Sequence, residues 1–417
     1  MTRKTTSSTR TLLATCTLFL GSVLLALAIS EVVLRLVTKN PSVYYRRVSG
    51  DEPYQPDPNL GWRLTPNARM RIYSPEYDFR AAVNSRGIRG PEIPASGPDE
   101  CRILIIGDSF AAGFTVDYKA TSGQVLQKLL EQSGNRHCKV VSAGVDGYST
   151  DQELLLFQKM APELAPTLTI LFFYFNDVYC NISTTCFGYN KPVFQMTNGD
   201  QLSLTNTPVP ENRNEYKKTG VVTIKETEPA NYSLRQWMQA HSHLYRLLRR
   251  EVQIALGQQD RIPLRSAMFI TPLPELFRVF SHPYDETTEK AWRITEKLIM
   301  QMDVTARNNG SDFMVFHVPM RGTIHQQEWD RALQAHNLDI NNWNSSLVEM
   351  KLGEICKKNR MKCILPAERF RLLTEREPGN RRYYLSNDPH WNEAGHELVG
   401  RILAESIPAP PEHATDN

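Results

Sequence analysis

The stretch "CRILIIGDSFAAGF", Cys101 to Phe114, decides how the rest of the chain is read. Four apolar residues, Ile103 to Ile106, run directly into Gly107-Asp108-Ser109, and a segment of small residues follows. A short apolar run closed by glycine reads as a strand buried on both faces, which is the habit of parallel sheets. The serine then stands at the carboxyl end of that strand, where the next helix starts. It has two readings there. One is a helix N-cap that satisfies a free backbone N–H. The other is a nucleophile, set where free N–H groups and the helix dipole favour developing negative charge. Taken alone, the stretch favours the cap.

Outward from it, helices and strands alternate. "SGQVLQKLLEQSG" reads as an amphipathic helix, "CKVVSAGV" as a second strand, "TDQELLLFQKMAPEL" as a helix and "TLTILFFYFND" as a third strand. After an interruption the pattern returns. "TEKAWRITEKLIMQMDVTARNNG" is a helix, "DFMVFHVP" a strand, "SSLVEMKLGEICKKN" a helix, "KCILP" a short strand and "NEAGHELVGRILAES" the last helix. This order predicts an α/β fold: a doubly wound parallel sheet of about five strands, in a flavodoxin-like three-layer α/β/α arrangement. The interruption, at about 180–284, is a polar, turn-rich insertion at the carboxyl end of the third strand. It contains "YSLRQWMQAHSHLYRLLRREVQIAL", a helix with Leu234, Trp237, Leu244 and Leu247 or Leu248 near one face. Insertions at that end of a sheet often wall the ligand crevice, so this one reads as the substrate selector.

The chain has 417 residues, 41% hydrophobic and 22% charged, with a formal net charge of +3 and no concentrated Lys/Arg stripe. That excludes nucleic acid as a partner. At the start, Arg3, Lys4 and Arg10 precede "TLLATCTLFLGSVLLALAI", and the apolar character resumes in "ISEVVLRLV". Residues 11–37 therefore read as a single transmembrane signal-anchor, with 1–10 cytoplasmic and the body outside the cytoplasm, in a periplasm or at a cell surface. Ala26-Leu27-Ala28 resembles a cleavage site, which leaves a removed signal peptide as the alternative. Residues 38–100, rich in Pro, Asn and Tyr, read as an extended spacer with a short β segment and turn at "YDFRAAVNSRGIRGPEIP". Residues 101–407 form the α/β domain, and 408–417 are a disordered tail. Leaving out Cys16, the cysteines fall into neighbouring pairs: Cys101 with Cys138, Cys180 with Cys186, and Cys356 with Cys363. Disulfides suit an exported domain, with reduced thiols as the alternative. No pair has zinc-ligand spacing with histidines, so no metal is expected.

A doubly wound sheet binds ligands in the crevice beyond the carboxyl ends of its strands. The first strand delivers Ser109 there, the second Gly144 to Gly147, and the third Asn176-Asp177; "SNDPHWNEAGH" then brings Asp388, His390 and His396. A serine hydroxyl needs a general base, which His390 supplies, and Asp388 can hold the other ring nitrogen. The oxyanion of an attacked ester needs preorganised donors: the N–H groups of Ser109 and Gly147 and the Asn176 amide. Separately these are a cap, a turn glycine and a turn. Their conjunction in this order favours the nucleophile. His396 falls inside the last helix and His317 inside a strand, so both read as structural. A metal site from Asp388, His390 and His396 fails on the histidine spacing, which does not share a helical face. G-x-S-x-G is broken at Ala111, and H-E-x-x-H and the P-loop do not occur.

The constellation resembles the SGNH hydrolases, the GDSL-type esterase superfamily. Its blocks match as "GDSF" with Ser109, "SAGVDGYS" with Gly147, "YFND" with Asn176 and "DPHWN" with Asp388 and His390. The match runs from Arg102 to Ile407 without the insertion, and "VNSRGIRGPEIP" is similar to membrane-anchored bacterial members. The resemblance implies a cofactor-free serine esterase with a catalytic triad, an oxyanion hole and an acyl-enzyme. Its substrate would carry an acetyl or short acyl ester on an extracytoplasmic carbohydrate or lipid. Three departures stand out. Phe110 replaces leucine, Tyr174 replaces a glycine and would narrow the acyl pocket, and Asp388 lies two residues before His390, with Asn387 at the commoner acid position. Asp-x-His followed by Trp is similar to members acting on exported polysaccharides, some of them acetyltransferases. An O-acyltransferase using the same serine is therefore the first alternative, and a non-catalytic envelope binding protein the second. An ordinary histidine pKa near 6.5 predicts activity falling below about pH 6.

Overall fold

The computed structural model describes residues 5–37, 47–74, 76–95, 97, 100–133, 138–197, 200–211, 222–224, 238, 242–255, 275–376, 383–385 and 388–407. The chain divides into two units: Met1–Tyr44 with Thr227–Pro263, and Tyr45–Glu226 with Leu264–Asn417. The tail read at 408–417 lies outside the described residues.

In the larger unit the apolar run becomes the strand Arg102–Gly107, all six residues buried. Leu168–Phe173 is equally buried. These two strands pair in parallel at the middle of a five-stranded sheet, with Lys139–Gly144 on one side and Asp312–His317 and then Lys362–Ile364 on the other. In chain order the strands run 2-1-3-4-5, the doubly wound order expected from the sequence. Right-handed crossovers fix the layers. The chain moves from the first strand to one edge and then doubles back, so Ser122–Gln132 and Thr150–Leu164 fall on opposite faces. The long helix Glu286–Asn308 packs with Thr150–Leu164, and the last helix, Glu393–Ser406, packs with Ser122–Gln132. The direction of winding reverses between the first and third strands. Their carboxyl ends, held in register by Gly107 opposite Phe172, open the crevice that matters.

Residues 47–95 are more regular than an extended spacer. Arg47–Gly50, Arg69–Tyr73 and Asp78–Ala82 form a sheet with Val222–Ile224 from the insertion, and Tyr54–Asp57 pairs with Gly61–Leu64. Alternate residues of Arg69–Tyr73 and Asp78–Ala82 are buried. They build an apolar cluster of Val48, Leu64, Met70, Ile72, Phe79 and Val83 that also takes in Ala112 and Phe114, just beyond Ser109. Arg89 completes this junction. Its buried guanidinium donates to the carbonyls of Ala112 (3.0 Å), Gly113 (2.5 Å) and Val116 (2.7 Å) and lies over the Phe79 ring. The structure joins Cys101 to Cys138, Cys180 to Cys186 and Cys356 to Cys363. Helices Gln326–Ala335 and Ala367–Arg376 were not among the elements read from the sequence.

The smaller unit contains the helix Thr5–Val37, whose stretch Ala14–Leu36 is 23 residues long with a mean hydropathy of 2.2, long and apolar enough to cross a membrane. It also contains His243–Ala255, the described part of the helix read in the insertion. Leu234 and Trp237 lie outside the described residues. The division assigns this helix to the unit of the apolar N-terminal segment, not to that of the sheet.

Candidate active site

Ser109 opens a helical turn, Ser109–Ala112, at the end of the first strand. The residue capping that turn is Asp108, whose carboxyl accepts from the Phe110 N–H at 2.9 Å. The cap reading of the serine therefore passes to its neighbour, and the Ser109 hydroxyl is left for other work. It lies 2.6 Å from His390 Nε2, across 281 residues of sequence. His390 Nδ1 meets Asp388 Oδ1, and the same oxygen accepts the His390 backbone N–H at 2.9 Å. The two-residue spacing thus serves both ring and backbone. Asn387, at the commoner acid position, lies outside the described residues.

The loop of His390 is held by distant side chains. Trp391 is fully buried and packs on Phe110, Phe172 and Phe370, while its carbonyl accepts from Thr115 Oγ1 at 2.7 Å. Arg321, just beyond the fourth strand, donates to the Leu385 carbonyl at 2.6 Å and to Glu328 at 2.5 Å. His396 is not part of this group. Its Nδ1 accepts the Ser122 N–H at 3.2 Å, and burial lowers its pKa to about 3, so it serves as a neutral brace for the helix start. His317 faces Glu349 at 3.4 Å. Among the described residues, no group of three or more His, Cys, Asp or Glu side chains could hold a metal ion.

The other two blocks arrive on neighbouring loops. Gly144 lies where a Cβ would strike the backbone of Ala112 and Asp108, so only glycine lets the second strand end against the serine turn. The Val145 N–H donates to the Gly107 carbonyl at 3.1 Å, tying the second loop to the first. Gly147 follows at φ +78°, a left-handed conformation that suits glycine. Phe187 and Trp62 flank it: a Cβ there would lie 3.5 Å from one and 3.6 Å from the other. Trp62 also donates from Nε1 to the Asp146 carbonyl at 3.1 Å, and the Tyr54 hydroxyl reaches the Asp146 carboxylate at 3.3 Å. Asn176 lies just past the third strand, 2% exposed, and its Oδ1 has no hydrogen-bond partner among the described residues. The adjacent rings of Tyr174 and Phe110 are 4.8 Å apart. The first and third strand ends therefore meet in side chains as well as in register.

The charges are unusual for so buried a place. For His390, burial opposes the imidazolium, but Asp388, Asp146 and Asp108 outweigh it and hold the pKa above the ordinary value. Burial pushes Asp108 up to about 7. Behind it, burial and neighbouring carboxyls raise Asp177 and Glu153 well above the carboxylate range. Lys191 from the insertion, fully buried, pairs with Asp151 and donates to the carbonyls of Cys180 (2.9 Å) and Pro192 (3.0 Å). That fastens the loop carrying Phe187 to the helix Thr150–Leu164.

Sequence reasoning found Ser109, His390 and Asp388, which the structure brings together, and placed Gly147 and Asn176 on the adjoining loops. It missed Arg89, Arg321, Asp146, Trp62 and Phe187. A doubly wound parallel sheet between helix layers, with Ser109, His390 and Asp388 in one hydrogen-bonded row at its switch point, is what the fold and site define. No family model matches the chain, and no curated protein does. Among solved structures it is similar to an acetyl xylan esterase (TM-score 0.36, 11% identity, covering 74% of this chain and 100% of that one). It is also similar to a lipase/acylhydrolase from Enterococcus faecalis (0.34, 10%, 74% and 95%) and a GDSL-like lipase from Bacteroides thetaiotaomicron (0.33, 10%, 75% and 90%). At these scores the reading of the site rests on its own geometry.

Proposed function

We propose that the chain is a serine esterase of the SGNH, GDSL type. The observation that carries this is the Ser109 Oγ to His390 Nε2 contact of 2.6 Å, continued through His390 Nδ1 to Asp388. Ser109 attacks the ester carbonyl while His390 takes its proton, and Asp388 holds the ring and stabilises the imidazolium. The oxyanion is met by the N–H groups of Ser109 and Gly147 and the side-chain amide of Asn176. His390 then gives its proton to the departing alcohol, and water, activated by the same histidine, releases the acyl group. Tyr174 beside Phe110 favours an acetyl or other short acyl group, carried on a carbohydrate or lipid outside the cytoplasm. The basic residues before Ala14–Leu36 and the three disulfides support an anchored protein with its N-terminus in the cytoplasm.

The test is aryl-acetate turnover together with labelling by a serine-directed fluorophosphonate. Both are expected in the wild type and lost in Ser109→Ala. Turnover and labelling that survive Ser109→Ala overturn the proposal, whereas acyl transfer to an oligosaccharide that outruns hydrolysis turns the enzyme into a transferase.

A further inference from the structure

The helix His243–Ala255, "HLYRLLRREVQIA", is two-sided. On a helical wheel Leu244, Leu247, Leu248, Val252 and Ile254 share one side, broken only by Glu251, and Arg246, Arg249, Arg250 and Gln253 share the other. Its start is tied to the apolar helix of the same unit. The Glu31 carboxylate accepts from Ser242 Oγ at 2.8 Å and from the N–H groups of His243 and Leu244, each at 2.9 Å. One acidic side chain thus caps the first turn of the second helix.

Where Glu31 stands sets the depth. It lies within Ala14–Leu36, close to the carboxyl end of that stretch. At about 1.5 Å per residue it is roughly 8 Å short of Leu36. Counted from Thr11, the first residue after Arg10, a hydrocarbon core of about 30 Å takes about 20 helical residues and ends near Glu31, so the tied helix begins where acyl chains give way to headgroups. Leu244 and Leu247 are half-buried, whereas Leu248 and Val252 are 54% and 56% exposed. Large exposed apolar residues, on an arginine-rich helix fixed to the end of a membrane span, match an interfacial helix with its apolar side in the acyl boundary and its cationic side at the phosphates.

We propose that His243–Ala255 is a membrane-surface helix that lies on the bilayer beside the anchor and binds an anionic lipid surface. The central insertion is then moored to the membrane at its middle. This rests on Ala14–Leu36 crossing the membrane and is independent of the serine chemistry.

The test uses the full chain in vesicles of phosphatidylcholine, with and without phosphatidylglycerol. Cys16 is the free cysteine among the described residues, so an environment-sensitive thiol probe on the wild-type protein reports the anchor. The same probe on Cys16→Ser/Leu248→Cys reports the helix, with Val252→Cys in its place if that variant does not fold. Expected is strong quenching at position 248 by a shallow lipid spin label, and a several-fold loss of iodide access that deepens with phosphatidylglycerol. A Gln253→Cys probe on the opposite side is expected to stay open to iodide. If the Cys16 probe is quenched by lipid while position 248 remains iodide-accessible, the anchor stands and the proposal falls. If neither is quenched, both fall. Protection at 248 that disappears on dilution into excess lipid assigns the face to a second copy of the chain and equally overturns the proposal.

Discussion

Ser109 and His390 touch, yet they are held in opposite ways. The serine stands on the end of a strand whose six residues are all buried, capped by its own neighbour Asp108, so its position follows from local chain geometry. The histidine stands in a loop whose placement depends on Trp391 packed among Phe110, Phe172 and Phe370, on Arg321 at the Leu385 carbonyl, and on Thr115 at the Trp391 carbonyl. A serine at a strand end can be fixed by secondary structure because a strand end points the same way every time. A histidine that must come within 2.6 Å of it from the far end of the chain needs a purpose-built cradle.

The sharpest break of this pairing is chemical. On the esterase reading, Ser109→Ala and His390→Ala each lower kcat for an aryl acetate by about 10⁴ or more, and the two together cost little beyond either alone, because the pair acts as a unit. A double variant that multiplies the single losses contradicts the relay. Asn176→Ala comes next, with an expected loss of about 10² to 10³ in kcat and little change in KM. If the loss appears in KM instead, the amide binds the ground state and is not an oxyanion donor.

The cradle is probed by Arg321→Met. It keeps the bulk of the side chain but removes the Arg321 donor from the Leu385 carbonyl and from Glu328, and an expected loss of about 1.5 to 3 kcal/mol follows from removing a charged hydrogen-bond partner. Denaturant unfolding measures the stability, and kcat is expected to fall with it while fluorophosphonate labelling of Ser109 slows. If stability drops but kcat and labelling hold, Arg321 braces the fold without setting the histidine.

The same contrast explains what the sequence showed. Ile103–Ile106 and Gly107-Asp108-Ser109 lie together in the chain, so period and punctuation revealed the strand, its end and the serine. Asp388 and His390 are two residues apart, and their pairing was legible for the same reason. Arg89, Arg321 and Trp62 act on carbonyls tens of residues away, and nothing in their own neighbourhoods marks them. Phe187 reaches Gly147 from a loop fastened by the Cys180–Cys186 disulfide and by Lys191, buried against Asp151. The strands at 47–82 were hidden differently. They are short, set among Pro and Asn, and one finds its parallel partner at Val222–Ile224, far along the insertion.

On the same esterase reading, the smallest effect tests the charge around His390 as the base. A general base must be neutral to work, so a raised His390 pKa leaves more enzyme protonated at a given pH and moves the acid limb of kcat/KM upward. The sequence alone, assuming an ordinary histidine, set that limb near pH 6. Burial, the largest influence on His390, would have moved it lower still, but Asp388, Asp146 and Asp108 reverse the sign, and the limb is expected above the ordinary value of about 6.5. Of the two carboxyl groups besides Asp388, Asp146 acts on His390 more strongly than Asp108, and Asp108 is itself pushed up to about 7 by burial. Asp146→Asn removes that charge while keeping an oxygen for the Tyr54 hydroxyl, and its limb is expected to move toward acid pH with the plateau rate little changed. A pH profile of kcat/KM for the two proteins decides it. A limb that stays in place means that Asp146 braces the Gly147 loop through Tyr54 and does not reach the base, and the raised histidine would then rest on Asp388 and its own cradle.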